Sequence, residues 1–243
     1  MKPSFYSGAS GLIAYQNDMN NIGNNIANSN TVGYKPTTVS FGDLLYTEMY
    51  VNTPEDPLTG HGVRTLYTGV DTRQGNLVSG ESNLDLAIIG KGWFSVEKDG
   101  ERLYTRDGSF SISLQGDMAY LVSNSGAYVL DSEGQRIAEQ INADTTELDY
   151  NAMTDKVGVF SFLYPEALTP ISSNSYMQNE FTGEAAALTE GQFQLKKGYL
   201  EQSGISLADE MTNLIKAQRS YQLSARVVQT SDEIEQTVNS LRK

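Results

Sequence analysis

The chain has 243 residues, 39% of them hydrophobic, which is enough for one large domain or two small ones. It has no cysteine and one histidine, His61, which excludes disulfides, thiolate metal sites, cysteine nucleophiles and paired-histidine metal sites. A net charge of −13 argues against nucleic acid or anionic membrane as a partner, and no apolar run approaches the ~18 residues of a membrane span.

The first predicted element is an α-helix over residues 4–28, with apolar positions at alternating spacings of three and four. Such a heptad pattern is typical of helices that pack along one another. The seam consists of Phe5, Leu12, Tyr15, Met19, Ile22 and Ile26, with Gly8 in the remaining position. The helix should end near residues 30–33, because Gly33 can adopt the left-handed conformation and Pro36 prevents the helix from resuming.

The opposite face of this helix carries a stripe of asparagines. Asparagine is a poor helix former, so helix stability does not explain the stripe. Uncharged amides suit a hydrogen-bonded contact with another chain, whereas a merely solvated face usually consists of Glu and Lys. The stripe comprises Asn17, Asn20, Asn21, Asn24, Asn25 and Asn28. We expect Asn24, Asn25 and Asn28 to belong to a subunit interface.

The middle of the chain is predicted to be all β, built from antiparallel hairpins. Turn signals such as Asp99-Gly100 and Asp107-Gly108 separate short runs of β-forming residues. The candidate strands are Thr65–Val70, Leu84–Ile89, Trp93–Lys98, Arg102–Thr105, Phe110–Leu114, Met118–Val122, Tyr128–Leu130 and Val157–Tyr164. Residues 34–62 and 165–192 are predicted to be irregular connectors.

Trp93 and Phe94 are adjacent in one of these strands. Successive side chains of a strand point to opposite faces, so we expect at most one of the two in the core. The other is expected to be exposed or at an interface.

The last element is predicted to be a helix of about 36 residues, beginning after a capping box at Ser206 and Asp209. One apolar stripe runs through Leu207, Met211, Leu214, Gln218, Tyr221, Ala225 and Val228. A second stripe, rotated by a quarter turn, runs through Val227, Ser231, Ile234, Val238 and Leu241. Because the two apolar stripes lie on different faces, we expect this helix to contact more than one neighbouring element. Arg242 and Lys243 place cations at the helix end, where the helix dipole favours them.

The predicted fold class is mixed, with N- and C-terminal α-helices that form a coiled-coil stem around a central all-β domain. The expected boundaries are an N-terminal stem helix at 1–33, a connector at 34–64, a β domain with an irregular tail at 65–195 and a C-terminal stem helix at 196–243. Because a narrow two-helix seam buries little surface, we expect both ends to fray in the isolated chain and to order on assembly.

The charge is distributed unevenly along the chain. Residues 51–195 hold eight basic and 21 acidic side chains, whereas residues 1–50 and 196–243 have net charges of −1 and +1. Like charges in a crowded, dry interface repel one another, while an exposed segment gains solubility from them. The distribution therefore favours packed ends and an exposed acidic middle.

Three segments resemble the bacterial flagellar rod and hook protein family. They are SGASGLIAYQ…NNIANSNTVGYK near the start, LDLAIIGKGWFSV…LYTRDGSF in the middle, and GYLEQSGISLADEMTNLIKAQRSYQLSARVVQTSDEIEQTVNSL at the end. The compact β region is more similar to rod than to hook subunits. The AQRSY segment followed by QTSDE is more similar to distal rod subunits than to proximal ones.

The resemblance implies a structural subunit that polymerises helically into the torque-transmitting shaft between motor and hook, with no cofactor or metal. It implies a location in the flagellar basal body, outside the cytoplasmic membrane. The implied partners are further copies, other rod and hook subunits and the flagellar type III export apparatus, which agrees with the lack of a recognisable cleavable signal. The implied subunit interface combines the two stem helices and consists of Phe5, Leu12, Tyr15, Met19, Ile22, Asn24, Asn25, Ile26, Asn28, Leu207, Met211, Leu214, Tyr221, Val228, Ile234, Val238 and Leu241.

Two alternatives remain open at this point: a proximal rod or hook subunit, and a stalked adhesin or binding module. We do not expect an enzyme. A glycosidase could use a carboxylate pair from among Asp85, Asp107, Asp117 and Asp131, but most of these lie beside turn glycines or at strand ends. No segment fits a calcium-loop pattern. His61, flanked by Gly60 and Gly62, is expected to be solvated.

Overall fold

The computed structural model describes residues 3–48, 58–140, 149–189 and 191–241. The chain divides into two compact units. The helical unit comprises Met1–Ala27, Thr37–Gly69 and Ser206–Lys243, and the β unit comprises Asn28–Pro36 and Val70–Ile205. Arg242 and Lys243, the predicted cations at the helix end, lie outside the described residues.

The helices are α1 (Pro3–Ala27), α2 (Tyr150–Asp155) and α3 (Leu207–Leu241), with a single 3-10 turn at Pro165–Ala167. The strands are β1 (Thr37–Asp43), β2 (Tyr46–Glu48), β3 (Leu58–Gly60), β4 (Val63–Val70), β5 (Leu77–Ser79), β6 (Leu86–Ile89), β7 (Trp93–Lys98), β8 (Glu101–Thr105), β9 (Phe110–Gln115), β10 (Met118–Ser123), β11 (Tyr128–Val129), β12 (Ala138–Gln140), β13 (Val159–Ser161), β14 (Thr169–Pro170), β15 (Ser175–Met177), β16 (Ala186–Ala187), β17 (Gln194–Lys197) and β18 (Tyr199–Glu201).

In the helical unit, α1 and α3 run antiparallel. Ser4 lies opposite Ser231, with their hydroxyl oxygens 3.3 Å apart, while Gly11 further along α1 faces Ser224 earlier in α3. Strand β1 pairs with β4, and β2 forms an antiparallel hairpin with β3. At the start of α3 the backbone N–H of Asp209 donates to the Ser206 hydroxyl over a long 3.5 Å, which is one of the two hydrogen bonds of the predicted capping box. No helix in the described ranges is long and apolar enough to span a membrane.

The β unit is built on a ten-stranded sheet. Its main strand order is β12-β10-β11-β7-β8-β15-β14, with β9 attached to β10, β13 to β7 and β16 to β13. The assigned registers are antiparallel, as predicted. Two small antiparallel pairs, β17 with β6 and β18 with β5, accompany this sheet. Residues 196–205, which the expected boundaries assigned to the C-terminal stem, thus belong to the β unit. Helix α3 begins at Leu207, directly after Ser206, as the sequence predicted.

Trp93 and Phe94 are both buried, at 2% and 0% exposure, so the prediction that one of them would be exposed is wrong. They point to opposite faces, but each face is covered by its own apolar cluster. Phe94 packs in the larger cluster edge-on against Phe110, and Trp93 packs in the smaller one edge-on against Tyr176. A sheet covered on both faces has no exposed side for the second aromatic.

The predicted connectors are less irregular than expected. Within 34–62 the structure places β1, β2 and β3, and within 165–192 it places β14, β15 and β16. Most of these strands are short and contain polar residues. They therefore lack the alternation of apolar and polar residues by which a strand is predicted from sequence. The middle is also not purely β, because it contains the short helix α2. Asp149 caps this helix by accepting hydrogen bonds from the backbone N–H groups of Asn151 and Ala152.

Candidate assembly surfaces and a buried ionic cluster

Two glycines of α1 lie directly against α3. A Cβ on Gly8 would lie 2.9 Å from the Val228 side chain, and one on Gly11 would lie 2.9 Å from the Ser224 hydroxyl. Ala14, one turn further along α1, is also buried. Small residues therefore let the two helix backbones come close. At these positions the van der Waals contacts are made by the α1 backbone itself rather than by large side chains.

The apolar seam predicted for α1 flanks this line of small residues. Ile22 is buried, whereas Leu12, Tyr15, Met19 and Ile26 are half-buried and Phe5 is exposed. The buried positions of α1 are Gly8, Gly11, Ala14, Ile22 and Asn25. The intramolecular contact thus shares Gly8 and Ile22 with the predicted seam. It adds Gly11, Ala14 and Asn25, because a hydrophobic pattern gives no weight to small or polar residues.

On α3 the predicted residues divide into two groups. Leu214, Tyr221 and Val228 are half-buried, and the positions that are fully buried are the small residues Ala217 and Ser231. Five of the predicted apolar residues are exposed in the single chain: Leu207, Met211, Ile234, Val238 and Leu241. α3 therefore presents an apolar surface that α1 does not cover.

The asparagine stripe makes contacts inside the subunit that the sequence did not reveal. The Asn25 side chain, 2% exposed, donates to the carbonyl oxygen of Thr37 at 2.9 Å and accepts from the backbone N–H of Thr37 at 3.1 Å. Asn21 accepts from the Thr37 hydroxyl. Asn25 thereby holds the first residue of β1 against α1. Asn28 is half-buried and accepts from the Thr31 hydroxyl, whereas Asn24 is exposed.

An open groove of about 320 Å³ lies in the helical unit between α1, β1 and the first half of α3. Asp18 and Glu210 line it, together with Lys216. Burial raises the pKa of both carboxyls above their ordinary values, and the Asp18 charge adds to the shift of Glu210. The groove therefore holds two acids in a partly desolvated setting.

In the β unit, three charged side chains form a buried cluster. Lys35 Nζ lies 2.6 Å from Glu201 Oε1, and Arg106 Nη1 lies 3.1 Å from Glu201 Oε2. Their side chains are only 1–3% exposed. Burial lowers the pKa of the Lys35 ammonium and of the Arg106 guanidinium, while the Glu201 carboxylate opposes both shifts. Two cations thus share one carboxylate, which we call the ionic cluster.

Backbone groups complete the coordination of the ionic cluster. Lys35 Nζ donates to the carbonyl oxygen of Arg73, Arg106 Nη2 donates to that of Gly90, and the N–H of Gly75 donates to Glu201 Oε1. The Tyr176 hydroxyl accepts from the Lys35 N–H at 3.0 Å, and burial raises the pKa of this hydroxyl. Such a set of partners offsets the desolvation of buried charges.

Gly33 allows the chain to reach the ionic cluster. Its φ of 68° is left-handed, as predicted, and its N–H donates to the Glu201 carbonyl oxygen at 2.8 Å. A Cβ at this position would collide with the backbone nitrogen of Asp107. Only glycine fits here, because both the dihedral angle and the space exclude a side chain.

Three of the four carboxylates considered for catalysis accept hydrogen bonds from nearby loop residues, and the fourth is exposed. Asp107 accepts from the N–H and hydroxyl of Ser109, and burial raises its pKa. Asp85 accepts from the Ser82 N–H, and Asp131 accepts from two backbone N–H groups of its own turn. Asp117 is exposed. No group of three or more potential metal ligands occurs among the residues that the structure describes.

His61, expected to be solvated, is half-buried, and its Nε2 lies 2.8 Å from the Thr47 hydroxyl.

Three family profiles match the chain. The profile "Flagella basal body rod protein" matches residues 5–35, "Flagellar hook protein FlgE/F/G D1 domain" matches 87–156, and "Flagellar basal body rod FlgEFG protein C-terminal" matches 196–241. Each matched segment contributes one side chain to the ionic cluster: Lys35, Arg106 and Glu201. The sequence reasoning missed all three residues, although each lies within a segment that carries the family resemblance.

Full-length relatives agree with the profiles. The chain is 32% identical to "Flagellar basal-body rod protein FlgG" of Bacillus subtilis (strain 168), covering all of both chains. It is 30% identical to the FlgG of Borreliella burgdorferi, again covering all of both chains. It is 26% identical to "Flagellar hook-basal body complex protein FlhP" of Bacillus subtilis (strain 168) over the full length of both.

Proposed function

Because the chain belongs to the flagellar basal-body rod and hook protein family, we propose that it is a distal rod subunit that polymerises helically into the shaft between motor and hook. Its place is then the basal body in the cell envelope. Its partners are further copies, adjoining rod and hook subunits, and the flagellar export apparatus.

The observation that carries this proposal is the uncovered apolar surface of α3. Since Ser4 lies opposite Ser231 and the helices are antiparallel, residues 233–241 extend past the described start of α1 at Pro3 by about 14 Å at 1.5 Å per residue. Ile234, Val238 and Leu241 repeat at spacings of four and three and are 51%, 55% and 82% exposed. An exposed apolar stripe on a helix is an interaction surface.

In the polymer, α1 and α3 form a coiled-coil stem, and the predicted interface residues that are exposed in the single chain become buried between copies. The nearly neutral net charge of both ends supports this packing, while the acidic residues of the β unit stay in solvent. The contact is heterologous, because a two-fold contact would close into a dimer instead of continuing as a shaft.

Polymerisation of the purified full-length chain tests the proposal, with electron microscopy as the readout. Ile234→Asp should abolish filaments, because it places a charge in the apolar stripe, and should leave the β unit folded. Asn239→Asp is the matched control, since it adds the same charge to an exposed position of the same helix segment, and it should still polymerise. Closed oligomers of the wild-type chain would favour the stalked adhesin instead.

A further inference from the structure

The chain passes between its two units four times, after residues 27, 36, 69 and 205. On the side of the β unit, these passages begin in only three segments. The segment 28–36 carries two of them, and the segments 70–76 and 201–205 carry one each. Any torsional load that travels along the covalent chain between the units passes through these exit segments.

A single carboxylate joins all three exit segments. Glu201 itself belongs to the third, its Oε1 accepts from Lys35 Nζ in the first at 2.6 Å, and the same oxygen accepts from the Gly75 N–H in the second at 2.8 Å. The Lys35 ammonium adds a further link by donating to the carbonyl oxygen of Arg73 at 2.6 Å.

Backbone hydrogen bonds join the same three segments in pairs. The N–H of Gly33 donates to the Glu201 carbonyl oxygen, and the N–H of Asp71 donates to the Pro36 carbonyl oxygen. The N–H of Gln202 donates to the carbonyl oxygen of Asn76 at 2.9 Å. These bonds define three amides whose hydrogen exchange reports whether the exit segments stay together.

The remaining oxygen of Glu201 ties the exit segments to the sheet. Arg106, directly after β8, donates to Glu201 Oε2, and its guanidinium lies 5.6 Å from the centre of the buried Trp93 ring. Arg106 Nε is buried without an acceptor among the described residues. A buried ionic cluster is weak evidence for stability, since apolar side chains in its place often stabilise a fold equally well. Its directional hydrogen bonds do, however, fix the positions of the exit segments relative to the sheet.

We propose that Glu201 acts as a mechanical clamp, which holds the three exit segments to the sheet so that torsion entering the β unit along the chain is borne by the sheet. This role rests on the proposed function as a shaft subunit. Lys35 and Arg106 are positioning residues of the clamp: the first holds an exit segment, and the second anchors the carboxylate to β8.

Lys35→Met in the full-length chain separates clamping from folding. It leaves one Arg106–Glu201 pair, which is electrically balanced, and the unbranched methionine fills the space of the lysine stem. We expect the amides of Gly33, Asp71 and Gln202 to exchange about tenfold faster, since a hydrogen bond to a charged group contributes on that order. The core amides of Leu121 and Leu130 should be unchanged.

Lys197→Met is the matched control, because Lys197 pairs with Asp155 at the surface of the same unit. It should leave all five amides unaffected. Unchanged exchange of the three exit-segment amides in Lys35→Met would overturn the clamp. Since this measurement uses the unassembled chain, it is independent of whether the wild-type chain polymerises, which alone decides the proposed function.

Swimming under load tests the mechanical role in cells whose own rod subunit is replaced by this chain. Lys35→Met cells should swim like the wild type in dilute medium and lose swimming at raised viscosity, with as many rods in isolated basal bodies. Wild-type swimming at raised viscosity would overturn the role, and a reduced number of rods would overturn it in favour of an assembly defect.

Discussion

The Lys35 ammonium and the Glu201 carboxylate are 2.6 Å apart and each 1% exposed, although 166 residues separate them in the chain. The contact joins the segment after α1 to the strand that precedes α3. A segment from the first part of the chain and one from the last part are therefore paired within the β unit.

Removing the carboxylate should destabilise the β unit strongly. Glu201→Ala leaves the Lys35 and Arg106 charges buried without compensation, for which we expect a loss of about 3–5 kcal/mol in the free energy of unfolding. Urea unfolding followed by the fluorescence of Trp93, the one tryptophan in the chain, measures it. Glu97→Ala removes the partner of Arg136 at an exposed position and should cost only about 0–1 kcal/mol. Equal losses in the two variants would contradict the interpretation.

Glycine at position 8 should be required for the close approach of α1 and α3. Gly8→Leu drives a side chain into Val228, and we expect a loss of about 1–3 kcal/mol from overpacking. Gly23 lies in the same helix, and a Cβ added there would meet nothing within 4 Å. Gly23→Ala should therefore gain about 0.5–1 kcal/mol, as an exposed helix glycine does. Far-ultraviolet circular dichroism during urea unfolding distinguishes the two.

Asn25 should be important for the stability of the helical unit in the full-length chain. Asn25→Leu leaves the buried N–H and C=O of Thr37 without their partner, with an expected loss of about 1–3 kcal/mol. Asn17→Ala, on the exposed part of the same stripe, should be neutral or slightly stabilising because alanine is the better helix former. The same unfolding experiment applies, and a neutral Asn25→Leu would show that water replaces the amide.

The groove acids predict a pH dependence of the helical unit. A raised pKa in the folded state means that folding favours the protonated carboxyl, so Asp18 and Glu210 destabilise the fold at neutral pH. Their cost disappears as the pH falls toward their ordinary values of 3.8 and 4.5. Asp18→Asn should raise the urea midpoint at pH 7.5 and reduce the gain on acidification to pH 5. Asp43→Asn, at an exposed carboxylate of the same unit, should change this difference less.

Much of the architecture could be predicted from local patterns. The heptad spacing predicted both long helices, and turn glycines with short apolar runs predicted β7 and its hairpin neighbours, because periodicity and turn chemistry act over a few residues. The same patterns misjudged the positions that depend on what lies opposite. Gly11, outside the predicted seam, packs because Ser224 comes close, and Trp93 is buried because a second apolar cluster covers its face.

The sequence by itself determined the helix–β–helix order, the acidic middle between nearly neutral ends, and the family to which the chain belongs, since each is written in residues that lie near one another along the chain. Only the tertiary structure decided that Lys35, Arg106 and Glu201 meet. A lysine, an arginine and a glutamate in three distant segments are ordinary surface residues in a sequence pattern. They become a buried cluster because the sheet and Gly33 bring their backbones together and exclude water around them.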